Sequence, residues 1–230
     1  MERRHFLATA AVGAATVGAG CLGGGSDDGA SGGGGGSLAD HPAGADLGSQ
    51  PLRGPADADA TIVAFEDPSC PACRRFELRT FPDLAEDAEA GKLAFYFRGI
   101  PIIYPWGEPA SKALEATYAA DEEAFWALKD HYYGEQGSYP GRAELTQDRR
   151  EHVYNMTLDF LSSETDVDAG TVLEEARAGD HDAAVQTDLD ASRRVGVRGT
   201  PTFALFRDGR FVTTVVGPQG YSVFANALGL

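Results

Sequence analysis

Lysine is nearly missing from this sequence. Lys92, Lys112 and Lys129 are the only three among 19 basic residues, which face 35 acidic ones. The formal charge of −16 excludes nucleic acid as a partner, because a phosphate backbone is bound through a basic footprint. Cysteine is scarce as well. Three of them, Cys21, Cys70 and Cys73, cannot frame a disulfide-rich scaffold in 230 residues, so each needs its own explanation. No apolar run approaches the ~20 residues that a spanning helix needs; the best stretch, from Ala8 to Gly20, is short and built of Ala, Val, Gly and Thr. Phe, Tyr and Trp are absent from Leu22 to Ala60. What is present, 43% hydrophobic and 23% charged residues, is the balance of a globular domain large enough to fold without disulfide staples.

The first sixty residues read as addressing and tether. Arg3 and Arg4 stand directly ahead of the apolar stretch, and residues 1–20 resemble a twin-arginine export signal. The stretch ends in Gly18-Ala19-Gly20-Cys21, which is similar to a lipoprotein box and implies lipidation of Cys21 and a membrane anchor on the outer face of the cytoplasmic membrane. Gly18 stands where such boxes usually carry leucine, so an unmodified Cys21 lost with the signal is the alternative. Residues 21–60, with glycine from Gly32 to Gly36 between Ser31 and Ser37, are expected to form a flexible linker with a mean reach of roughly 30 Å.

From Thr61 the pattern changes. Thr61-Ile62-Val63-Ala64-Phe65 reads as a buried strand, Cys70-Pro71-Ala72-Cys73 opens helix-compatible sequence, and Lys92 to Phe97 reads as a second strand. A strand–helix–strand unit of this length implies a parallel pair. Residues 105–194 read as a mostly helical insert, with Phe125, Leu128 and Tyr132, then Val153, Met156 and Phe160, on apolar helix faces. Thr202–Phe206 and Phe211–Val216 flank Asp208-Gly209 as a hairpin, and Ser222–Leu228 forms a terminal helix with Gly229 just past it. The fold class expected over 61–230 is α/β, a mixed sheet with a helical insertion.

A CxxC pair placed after a strand and at the start of a helix is the setting of a reactive dithiol. Backbone N–H groups and the positive end of the helix dipole favour a thiolate at Cys70, and Cys73, one turn on, is the resolving thiol. Two alternatives stand beside this reading. A staple between residues so close in sequence removes little unfolded-state entropy, and a zinc site lacks its second ligand pair.

The segment from Thr61 to Cys73, together with Gly196-Val197-Arg198-Gly199-Thr200-Pro201-Thr202-Phe203, resembles the DsbA-like branch of the thioredoxin superfamily, and the similarity extends over residues 61–230. That resemblance implies a thioredoxin-like fold and a thiol-disulfide oxidoreductase. It also implies client proteins carrying thiols or disulfides, an external redox partner, and no metal or organic cofactor. It makes Thr200-Pro201 a cis-proline turn beside the cysteines, with the Thr200 backbone open to an extended client; a trans-proline loop is the alternative from the residues alone. Pro71 and Ala72, between the cysteines, then modulate the couple. Many relatives carry a carboxylate six residues before the first cysteine, where this chain has Ala64. Glu66 is the hypothetical substitute, because alternation puts it on the sheet face of Ala64; a solvated loop-edge acid is the alternative. Arg74 and Arg75, in the first helical turn, either lower the Cys70 pKa or form a solvated basic pair. The expected activity is oxidation of clients. Reduction or isomerisation by the same residues, or a non-catalytic module binding peptide or a soft metal, are the alternatives.

Overall fold

Two runs of β-branched and aromatic residues at the centre of the sheet fix everything else. The computed structural model describes residues 36–230. Strand β1 is Leu52–Arg53, β2 Ala60–Glu66, β3 Leu93–Gly99, β4 Thr202–Arg207 and β5 Arg210–Val216, in the spatial order β1-β3-β2-β4-β5. β2 runs parallel to β3, as the crossover implied, and antiparallel to β4; β4 and β5 are an antiparallel hairpin. Its turn takes left-handed backbone at both Asp208 (φ 51°) and Gly209 (φ 68°), the combination a two-residue hairpin of this twist requires. Every residue of β2 and β3 is buried, which is why both read as continuous apolar runs rather than alternating ones.

Helices α1 (Pro71–Arg79) and α2 (Phe81–Glu89) make the crossover, and α8 (Tyr221–Leu228) closes the chain with Gly229 in left-handed conformation past its end. On the face presented by Ile62 and Ala64, Phe76, Phe95, Phe203 and Phe224 form one core with the insert. The opposite face, presented by Val63 and Phe65, is smaller.

The stretch expected as one insert divides in two. Helices α3 (Gly107–Ala120), α4 (Glu122–Gly134), α5 (Gln147–Glu164) and α6 (Ala169–Ala178) join the first core, while α7 (Asp182–Val195) brings Leu189, Ala191 and Val195 to the second face. Helical periodicity marks burial without saying against which face.

The linker expected through Ala60 is a correction. Residues 36–60 fold onto the domain: Ser37 bridges Arg210, two short 3-10 turns follow at Pro42–Gly44 and Leu47–Ser49, and β1 pairs with β3. The segment has no Phe, Tyr or Trp, but His41 stacks on Phe211, Ala43 is fully buried, and Leu38, Leu47 and Leu52 pack on the second core. Aliphatic anchors spaced along a polar segment are diluted in its average composition. The export signal, its lipoprotein box and Cys21 lie outside the described residues. Among the described residues no helix is long and apolar enough to cross a membrane, and no group of metal-ligating side chains is assembled.

Candidate active site

The carboxyl end of β2 delivers the chain into a short loop, Asp67 to Cys70, which is held from three directions. The Asp67 carboxylate accepts from the backbone N–H and hydroxyl of Ser69 (2.7 and 2.6 Å) and from the N–H groups of Ile102 and Ile103 (both 2.7 Å). Burial pushes its pKa up to about 6 against the pull of these four bonds, so it is largely ionised at neutral pH. Gln136, just past α4, donates to the carbonyls of Pro68 (2.8 Å) and Cys70 (3.1 Å). Gly107 is required at the base of the loop: a Cβ there would lie 2.6 Å from Asp67 Oδ1.

Cys70 is the residue that caps α1, and Pro71, at the first helical position, gives up an N–H that has no partner in a helix anyway. Both cysteines are free thiols. Cys70 Sγ lies 3.3 Å from the Thr200 carbonyl, so the two segments separated by 130 residues do meet, and the Thr200–Pro201 peptide bond is cis. Their physical states differ. The Cys70 pKa is drawn down to about 6, first by the hydrogen bond from the Cys73 thiol, against burial, then by Thr200 and the N–H groups of Cys73 and Ala72. Cys73, fully buried, is pushed well above the ordinary thiol range by burial, by that same hydrogen bond and by the charge of Glu66. At neutral pH one sulfur is therefore an ionised nucleophile and the other a protonated thiol one helical turn behind it.

Beneath the cysteines lies a group of charges that sequence reading found only in part. Glu66 faces inward as alternation placed it, but it is fully buried, so the solvated loop-edge alternative is excluded. Its two oxygens, Glu77 Oε1 and the Tyr133 hydroxyl are all buried without a partner. Glu77 is paired to Lys129, which also reaches Asp130 at 3.0 Å and lies 4.1 Å over the Phe81 ring. Burial, then the neighbouring Glu77 charge, push the Glu66 pKa well above the usual carboxylate range. Burial also works against the charge of Lys129, but Glu77, Asp130 and Glu66 around it keep it protonated. A pair of buried carboxyls whose proton affinity is raised, close to a buried thiol, can serve as a local store for a proton.

Arg75 is exposed, and Arg74 is half-buried. Arg74 Nε donates to the Tyr133 carbonyl (2.8 Å), tying α1 to the end of α4, and Arg75 donates to the Pro71 carbonyl (3.3 Å). Asp67, Gln136, Glu77 and Lys129 were missed. Asp67 had a signal, its place three residues before the first cysteine. A charged residue at Glu77 or Lys129 gave none, because nothing local says that a helical charge is buried.

A family model described as thioredoxin matches residues 46–224. The chain is 28% identical to the "Probable disulfide bond formation protein D" of Bacillus cereus over 157 residues, 67% of this chain and 68% of that one. Its fold is similar to that of oxidised BdbD from Bacillus subtilis, with a TM-score of 0.67 and 21% identity over 80% of this chain and 95% of the other. The Wolbachia pipientis protein α-DsbA1 gives a TM-score of 0.62 and 17% identity over 77% and 87% of the two chains. With a family match across most of its length and a dithiol set against a cis-proline turn, this chain belongs to the thioredoxin superfamily, as a DsbA-like thiol-disulfide oxidoreductase.

Proposed function

We propose that the protein oxidises thiols of client proteins outside the cytoplasm, using Cys70 and Cys73 as its exchangeable disulfide. The observation that carries this reading is the opposite shift of the two sulfurs, Cys70 down to about 6 and Cys73 well up. A depressed pKa stabilises the thiolate, hence the reduced form, and a couple with a stabilised reduced form is the oxidising one. The names of the Bacillus relatives support the same direction.

In the forward cycle a client thiolate attacks Cys70 Sγ of the oxidised pair. The Cys70–Cys73 bond breaks, a Cys70–client bond forms, and Cys73 departs as a thiolate that takes up a proton. A second client thiolate then attacks the client sulfur of the mixed disulfide and releases Cys70 as a thiolate. The client has lost two electrons and the protein has gained them, for an external redox partner to remove. Glu66 is the group to supply the Cys73 proton, and Thr200 with Pro201 forms the backbone edge for an extended client. Pro71 and Ala72 set the helix start between the sulfurs. The signal at residues 1–20 and a lipid at Cys21 would hold this domain at the outer face of the membrane.

The test is oxidative refolding of a reduced, disulfide-containing substrate, with the equilibrium of the couple against glutathione measured alongside. We expect Cys70→Ser to bring the rate to background and the wild-type couple to oxidise glutathione. A couple that instead reduces glutathione disulfide makes the protein a reductase, and catalysis that survives Cys70→Ser removes the nucleophile.

A further inference from the structure

The charge of the whole chain and the charge around Cys70 have opposite signs. Three stretches are bonded together at the mouth of the site: 67–79, carrying the cysteines; 99–107, tied on through Ile102, Ile103 and Tyr104; and 193–202, carrying Thr200. Their acids are Asp67 and Glu77, and both are buried. Their exposed charges are all arginines: Arg75, Arg79, Arg194, Arg198 and Arg193, the last paired to Asp190, with Arg74 half-buried. The fourth stretch at the mouth, from Gly134 to Ser138, adds one exposed acid, Glu135, beside Gln136.

Two of these arginines sit on the segments that carry the nucleophile and the turn facing it. Arg75 is anchored on the carbonyl of Pro71, the neighbour of Cys70. Arg198, two residues before Thr200, lines a groove of about 320 Å³ with Val197, Gly199, Thr202 and the 62% exposed Val216. Cys70 itself is only 3% exposed, so a client must fit closely across this surface to be attacked.

We infer that the mouth selects extended client segments whose cysteine has acidic neighbours, their carboxylates pairing with Arg75 on the segment of Cys70 and with Arg198 on that of Thr200. The inference rests on the exchange of client disulfides at Cys70 proposed above. Guanidinium groups take carboxylates through paired hydrogen bonds, which gives position as well as attraction. The chain's net charge of −16 works against an acidic client, but the Debye length is about 8 Å at physiological ionic strength, so acids beyond the rim are screened while the two arginines are not. Net charge alone therefore predicts faster reaction with basic clients, and the rim predicts faster reaction with acidic ones.

The test uses the full domain as Cys73→Ser, in which a mixed disulfide cannot resolve. The Cys70 thiolate attacks a disulfide-linked peptide dimer, one peptide leaves as its thiolate, and the adduct is counted by mass. Dimers of one peptide with aspartate, serine or lysine beside the cysteine are compared at 0.15 M salt, each rate divided by that of the same dimer with free mercaptoethanol to remove differences in leaving-group reactivity, and neutral hydroxyethyl disulfide serves as the control for Cys70 itself. Two surface ion pairs give an expected ratio of about fivefold in favour of aspartate over lysine, falling toward one in 1 M salt and in Arg75→Gln/Arg198→Gln. Equal rates, or a lysine peptide that reacts faster, overturn the inference. Failure of all the peptides and of hydroxyethyl disulfide to modify Cys70 overturns the exchange reading itself, and the two failures are thereby distinct.

Discussion

Each face of the sheet buries a pair of opposite charges, and the two pairs are built differently. On the second face Arg98 donates to Asp188 at 2.7 Å and to the carbonyls of Ala43 and Ala45, and the other Asp188 oxygen accepts from the Gly99 N–H at 2.9 Å. Of that guanidinium only Nε lacks a partner. On the first face Glu77 and Lys129 are paired, but Glu66, one Glu77 oxygen and the Tyr133 hydroxyl beside them have none. A buried polar network with nearly all its bonds made holds its parts in place, although Asp188, pushed up to about 6, and the neighbouring Glu115, pushed up to about 8, make it sensitive to pH. One with bonds to spare, under a reactive thiol, can change its protonation without breaking the fold. The Arg98 cluster therefore locks the segment 43–45 to α7 and β3, whereas the Glu66 cluster is the one that the proposed function assigns to the chemistry.

That contrast can be broken by removing one partner at a time. The largest effect is expected at Arg98. Arg98→Met leaves the Asp188 carboxylate buried with no cation, which costs about 3–5 kcal/mol in urea unfolding, while the pH midpoint of Cys70 alkylation stays where it is. A midpoint that moves with Arg98 would mean the two clusters are one.

Glu66→Gln should act the other way round, with a smaller effect on stability and a clear one on pH dependence. Because folding raises the Glu66 pKa, its contribution to stability falls as pH rises from the unfolded carboxylate value through the folded one. The variant lacks that loss, so across the range from the unfolded to the folded value it should gain on wild type by roughly 1.4 kcal/mol for each pH unit by which folding raises that pKa. Its Cys73 pKa should also fall, since the Glu66 charge helps to hold it up. Parallel stability curves for variant and wild type would show Glu66 to be a structural acid.

The smallest intervention only sharpens the comparison between the sulfurs. Alkylation of the reduced protein should modify Cys70 alone, half-maximally near pH 6, and Cys73→Ala should move that midpoint upward by removing the strongest hydrogen bond to the thiolate. A midpoint unchanged by Cys73→Ala would mean that the helix N-terminus and Thr200 suffice.

Much of the framework was legible in particular residues. The apolar run Ile62–Phe65 marked the central strand, Asp208-Gly209 marked the hairpin, and Gly196 to Phe203 marked the turn that meets the cysteines. Three features were not legible. The segment 36–60 docks through isolated aliphatic residues and backbone carbonyls. Gln136 reaches the active-site loop across a separation of 66 residues, and Lys129 reaches Glu77 across 52. Such contacts depend on where helices α3 to α6 place the end of α4, and periodicity within a helix carries no information on that.

The sequence by itself determined that this chain carries a dithiol at a helix N-terminus beyond a buried strand, because strand propensity, proline at the first helical position and the CxxC spacing all act within a dozen residues. The helix start already favoured Cys70 as the thiolate, but only the tertiary structure decided how far the two sulfurs diverge: it buries Cys73 completely, sets Glu66 beside it, and brings Thr200 to Cys70 from 130 residues away.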